Sequence, residues 1–278
     1  MSTPTAALGA WQGFTDQLAP GVDEAVVDVR GHPARVWSKG HGEPLAWLAG
    51  PLGVPRWTPF LDRLADHRRV VVPSLPGFPG ASDYEHLDNV ADWVTATLDL
   101  LDAAGVEGAD LAGHSIGGSL AAEVAAFSRG SVRRLVLVSP YGLYDDERPP
   151  KNLWAMRSGP ANMAMSRDRA RIEAQVAVPE GGDEVEWPIE MQRAVVAGAR
   201  MFWPLCDLGL GKRLHRVTAP TLVVWGEEDA ALDGRYAERF ADGISGPVTV
   251  ARVAGAGHLV DLDAPDALAD RIEGFLAG

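Results

Sequence analysis

Between Leu111 and Leu120 the chain reads LAGHSIGGSL, and within it Gly113-His114-Ser115-Ile116-Gly117 fits G-x-S-x-G. The residues ahead, GADLAGHS, read as a short strand, and those behind, GGSLAAEVAAFS, read as a helix. A chain that passes from strand to helix across one residue must turn very sharply. The central residue is then forced into a strained backbone conformation, and its neighbours two positions away must be small. Gly113 and Gly117 meet that demand, and Gly118 eases it further. Such a turn belongs to an α/β architecture, and it carries the serine hydroxyl past the carboxyl ends of the strands, where open α/β sheets bind ligands. The helix that starts there has unbonded N–H groups that favour an anion beside the hydroxyl.

The rest of the chain fits that frame. EAVVDV and ARVWSK read as a hairpin across RGHP, and PLAWLAG, RRVVVPSLPG, VRRLVLVSP, APTLVVWGEED and GPVTVARVAG read as further strands. WTPFLDRLAD, NVADWVTATLDLLDAAGV (capped by Asn89 or Asp88, ended at Gly105) and PDALADRIEGFL read as helices. Alternating strands and helices point to a mostly parallel sheet covered on both faces. From Tyr141 to about Arg216 no strand pattern occurs, and the segment reads as several helices inserted between two strands.

A serine becomes a nucleophile only beside a base, and the base needs a third group to hold its tautomer. His258 lies in the small-residue loop AGAGHL after the last strand. His114 flanks the serine and supports the turn, while His32, His41, His67, His86 and His215 sit in polar surroundings typical of a surface. For the acid, the strand end VVWGEED offers Glu227, Glu228 and Asp229. Asp229 is the first choice, with a helix N-cap as its competing reading; Glu228 and the more distant Asp145 are the alternatives.

These motifs together resemble the α/β-hydrolase family with a helical cap. VVVPSLPGFPGAS resembles the family's D-x-P-G-x-G-x-S stretch, with Ser74 in place of the usual Asp, and RVTAPTLVVWGEED and AGAGHLVDLDAPDAL are close to its pattern. The resemblance implies an α/β-hydrolase core of residues 1–140 and 217–278 and a cap of 141–216. It also implies Ser115, Asp229 and His258 as nucleophile, acid and base, in the family's chain order. One departure stands out. In the family's first oxyanion loop, usually His-Gly-x, residue x donates its N–H; here the stretch is LAGPLG, and Pro51 falls at x with no N–H to donate. Ile116, directly after the serine, keeps its N–H. Leu52 is the second expected donor, by a one-residue shift of the loop; Gly50, another group, or chemistry less dependent on two donors remain open.

The inserted segment is rich in Trp and Met, most of which read as its own core. Trp154, Phe202, Trp203 and Leu259 are the expected pocket residues, and a cap arginine among Arg157, Arg167, Arg169, Arg171, Arg193 and Arg200 could hold a substrate carboxylate. A net charge of −13 argues against nucleic acid. One cysteine, Cys206, leaves no internal disulfide. The opening MSTPTAALGAWQGF has neither the basic start nor the apolar run of a signal peptide, and no apolar run is long enough to span a membrane, so a cytoplasmic protein is expected. No metal-ligand motif and no G-x-G-x-x-G occur, so no metal and no cofactor are expected. The expected activity is hydrolysis of a small or medium apolar carboxylic ester through an acyl-serine. The alternatives are cleavage of a C–C bond in a β-diketone or ring-fission product, a non-hydrolytic enzyme such as a perhydrolase or cofactor-free oxygenase, and a ligand-binding protein on the same fold. The oligomeric state is open.

Overall fold

The computed structural model describes residues 18–180, 182–202 and 207–278. Its strands are β1 Asp23–Val29, β2 His32–Lys39, β3 Pro44–Leu48, β4 Arg69–Pro73, β5 Asp110–His114, β6 Leu135–Val138, β7 Thr221–Gly226 and β8 Val248–Val253. They form one eight-stranded sheet in the order β1-β2-β4-β3-β5-β6-β7-β8. The β1–β2 and β2–β4 pairs are antiparallel and the remaining pairs are parallel. The helices among the described residues are α1 Pro59–Ala65, α2 Val90–Ala103, α3 Ser115–Phe127, α4 Ser158–Met165, α5 Arg169–Val176, α6 Glu186–Phe202, α7 Tyr236–Gly243, α8 Val260–Asp263 and α9 Pro265–Ala277.

Strand side chains alternate between two cores, as a doubly covered sheet requires. Leu48, Val71, Leu111, Leu137 and Trp225 face one layer with Trp93 of α2 and Leu120 of α3. Leu45, Trp47, Val70, Val136 and Val224 face the other with Phe60 of α1 and Ile272 of α9. That is why the central strands read as unbroken apolar runs. The cap of α2 is Asn89, whose side chain accepts from Ala91 and Asp92 N–H at 2.9 and 3.2 Å.

Two local expectations need correction. The hairpin turn is only Arg30-Gly31, both at positive φ (56° and 91°), and His32 already pairs with Val29. Two positive-φ residues reverse the chain in the hand that suits strand twist, so the strands run on to the turn. Helix α7, the crossover between β7 and β8, was not read from the sequence: its eight residues, YAERFADG, bury only Tyr236, Ala237 and Phe240.

Between β6 and β7 the described residues form helices and turns and no strand. Contacts from this insertion reach the loops that follow several strands. Arg56 donates to the carbonyls of Gln175 and Ala177, and Arg200 to those of Leu87 and Glu85. Lys151 N–H donates to Ala231 C=O and Leu259 N–H to Met165 C=O. The insertion therefore lies across the carboxyl edge of the sheet. Its Met165, Ala197, Met201 and Phe202 continue the α2/α3 core. No described helix is long and apolar enough to cross a membrane.

Candidate active site

Ser115 sits at φ +54° between β5 and the first turn of α3, fully buried. A non-glycine residue there is strained by about 1–3 kcal/mol, and the surrounding packing must hold it. The glycines show how. A Cβ on Gly117 would lie 2.3 Å from the Leu48 carbonyl oxygen and 2.4 Å from that of Ala49. A Cβ on Gly113 would lie 2.3 Å from the Gly117 carbonyl oxygen. Backbone meets backbone at both positions, so side-chain adjustment cannot relieve either clash. Gly117→Ala is therefore expected to destabilise the fold by roughly 3 kcal/mol, measured as a lowered urea midpoint. Gly274→Ala in α9, where an added methyl meets nothing within 4 Å, is expected to be neutral or stabilising by up to about 1 kcal/mol.

His258 and Asp229 converge on this serine from the loops after β8 and β7. His258 Nε2 lies 2.8 Å from Ser115 Oγ, and His258 Nδ1 lies 2.9 Å from Asp229 Oδ2. A carboxylate only accepts, so Nδ1 carries the proton, and Nε2 is left as the acceptor for the serine hydroxyl. Asp229 Oδ1 accepts from Ala231 and Leu232 N–H at 2.8 and 2.9 Å. The side chain thus serves as a local turn cap and as the histidine's partner at once. The two other acids face elsewhere: Glu228 pairs with Arg167 at 2.6 Å, and Asp145 with Arg239 at 3.1 Å.

His114 does more than support the turn. Its Nε2–H donates to the His258 carbonyl at 2.8 Å, and the ring packs so closely on the loop after β3 that a Cβ on Gly50 would lie 2.4 Å from Nδ1. Burial lowers its pKa from the ordinary histidine value. It therefore joins the histidine loop to the loop that carries Pro51 and Leu52. There Gly53 N–H bonds back to Gly50 C=O at 3.0 Å, making a turn with Pro51 and Leu52 at its corners. Proline's fixed φ suits the first corner, and the turn's hydrogen bond leaves Leu52 N–H out of it. Ile116 is the second residue of α3, where backbone N–H groups have no partner within the helix.

Of the expected pocket residues, Leu259 lines a small cavity with Gly50, Pro51, Leu52, His114 and Asp261. Trp154 stacks on Phe202 at 5.6 Å and 14°, and both pack on Tyr141. Trp203 lies outside the described residues. Tyr141 itself was missed as a site residue. Its ring meets His258 edge-on at 5.4 Å and its hydroxyl donates to Lys151 C=O at 3.0 Å. Burial, with Asp229 nearby, pushes the phenol well above its ordinary pKa and keeps it neutral. Its position after β6, in VSPYG, was the available signal.

A sequence model of the alpha/beta hydrolase family matches residues 8–271. The chain belongs to the alpha/beta hydrolase family. Within it, the chain is 28% identical over 85% of its length to the dihydrolipoyllysine-residue acetyltransferase component of the acetoin cleaving system of Cupriavidus necator, and spans 64% of that relative. It is 27% identical to 2-hydroxymuconate semialdehyde hydrolase of Pseudomonas putida, with 85% of each chain covered. It is 25% identical to carboxylesterase YbfK of Bacillus subtilis, over 69% of this chain and 65% of that one. The solved structure of YbfK superposes with a TM-score of 0.67, covering 97% of this hydrolase-family chain and 96% of that one at 21% identity.

Proposed function

We propose that this chain is a serine hydrolase that cleaves a small or medium apolar carboxylic ester through an acyl-serine intermediate. The observation that carries the reading is the buried hydrogen-bond chain from Ser115 Oγ through both nitrogens of His258 to Asp229 Oδ2. In this reading Ser115 Oγ attacks the ester carbonyl carbon while its proton passes to His258 Nε2. Asp229 stabilises the imidazolium, and the N–H groups of Ile116 and Leu52 hold the oxyanion. The imidazolium then protonates the leaving alkoxide. Water, deprotonated by the same nitrogen, releases the acid and restores the serine. The inserted helices serve as a cap, and Trp154, Phe202 and Leu259 serve as apolar walls.

Five of the six candidate arginines of the insertion are already engaged, which favours an apolar ester over a substrate that needs its carboxylate held by them, such as the one in the name of the P. putida relative. Arg167 and Arg169 pair with Glu228 and Glu173. Arg171 donates to the Leu262 and Asp263 carbonyls, Arg193 pairs with Glu190, and Arg200 pairs with Asp88. Each of these five would have to abandon a protein partner to bind substrate; Arg157, exposed at the start of α4, makes no side-chain cap bond there and is the one candidate that, among the described residues, would not.

The test is turnover of p-nitrophenyl esters of increasing acyl length, with mass spectrometry after treatment with a fluorophosphonate. Turnover of short to medium esters and one phosphonyl adduct on Ser115 are expected. No turnover across the series, or an adduct elsewhere, would overturn the reading.

A further inference from the structure

Two stretches far apart in the chain meet at one carboxylate. Asp263 closes α8, five residues after His258. Its Oδ2 accepts from Gly257 N–H at 2.8 Å and from Arg167 N–H at 3.1 Å, and its Oδ1 accepts from the Ser166 hydroxyl at 2.5 Å. On the other side of His258, Leu259 N–H donates to Met165 C=O at 2.8 Å. Both neighbours of His258 are thus tied to the turn between α4 and α5 in the insertion. Arg171 strengthens the seam with bonds of 2.7 and 2.5 Å to the Leu262 and Asp263 carbonyls. The fit has no slack: a Cβ on Gly257 would lie 3.0 Å from Asp263 Oδ2 and 3.2 Å from the Met165 carbonyl oxygen. Ser166, the side-chain donor on the insertion side, is 5% exposed.

We propose that Asp263 is a positioning residue for His258. It fastens the histidine loop to residues Met165, Ser166 and Arg167, so that the imidazole is seated on Ser115 only while the α4–α5 turn is docked. The effect on turnover rests on the hydrolase reading; the seating of the ring does not. An ionised carboxylate suits this junction because it only accepts, and three donors converge on its two oxygens. An acid whose sole task was to sit in the first turn of a helix would support stability without touching the histidine loop.

Asparagine can keep the junction. Its amide oxygen can take both N–H groups, and its amide N–H can donate to Ser166 Oγ, whose hydroxyl then donates to Asp168 C=O, already 3.0 Å away. Alanine cannot. Asp263→Ala is expected to lower kcat for the best p-nitrophenyl ester on the order of 10²-fold, with a smaller change in KM. Asp263→Asn is expected to restore most of that loss. Ser166→Ala, which removes one of the two insertion-side donors to Asp263 and leaves the Arg167 N–H, is expected to fall between them. A second readout needs no turnover: the low-field proton resonance of the His258–Asp229 hydrogen bond should persist in wild type and Asp263→Asn and be lost or broadened in Asp263→Ala.

Wild-type kcat and resonance in Asp263→Ala would overturn the proposal. So would an Asp263→Asn variant as impaired as Asp263→Ala, since the charge and not the fastening would then matter. If Asp263→Ala does not fold, Ser166→Ala decides through the same resonance, and an unchanged signal there counts against the proposal. If wild type hydrolyses no ester, the hydrolase reading fails while the resonance comparison still tests the seating.

Discussion

Replacing Ser115 by alanine is expected to lower kcat on short p-nitrophenyl esters by roughly 10⁶-fold, with the folded state retained. The size follows from the site acting as a unit. Without the hydroxyl there is no acyl intermediate, and His258 has nothing to deprotonate on the enzyme. What remains is water attack aided by oxyanion donors and binding, a residual of about 10³–10⁴ over the uncatalysed rate. The fold survives because the strain at φ +54° acts on any residue with a Cβ, so alanine neither adds to it nor relieves it. The buried His258 Nε2 loses its partner, at a stability cost of about 1–3 kcal/mol. Thermal unfolding and kcat measured on one preparation check both halves. Turnover that survives the substitution would remove Ser115 as the nucleophile.

The legible parts of this site are those whose physics is local. Gly113 and Gly117 could be read as obligatory because a strand–helix elbow crowds its own backbone, and the structure places carbonyl oxygens within 2.5 Å of both added Cβ atoms. The central strands were legible for the same kind of reason, since two covered faces leave no room for polar alternation. What depends on distant partners was not. Nothing in HLVDLDAP distinguishes Asp263 from any acid in the first turn of a helix; its meaning comes from Ser166, 97 residues away. Tyr141 looked like the start of the insertion until its ring was placed against His258. Helix α7 buries too few residues to show a clear stripe in sequence. For Asp229 the helix N-cap reading fails, since the next helix begins only at Tyr236; its Oδ1 instead caps a turn while its Oδ2 holds His258, a division between two oxygens that the sequence does not show.

That division of labour sets the second large effect. Asp229→Asn is expected to lower kcat by roughly 10⁴-fold with little change in stability. The amide can leave its oxygen on the Ala231 and Leu232 N–H groups, so the loop after β7 keeps its shape. Its NH₂ then faces His258 Nδ1 and can only donate to it. The imidazole must turn over its tautomer, placing the proton on Nε2, which faces Ser115. The base becomes a donor at the one atom where an acceptor is needed, and no group remains to stabilise the imidazolium. Glu228→Gln and Asp145→Asn are the matched controls, since both carboxylates point at arginines away from the imidazole. Each is expected to keep kcat near wild type. A loss in Glu228→Gln comparable to that in Asp229→Asn would mean that the acid had been assigned to the wrong residue of the loop. Equal, modest losses in all three would mean that the −13 net charge, and not a held tautomer, sets the rate.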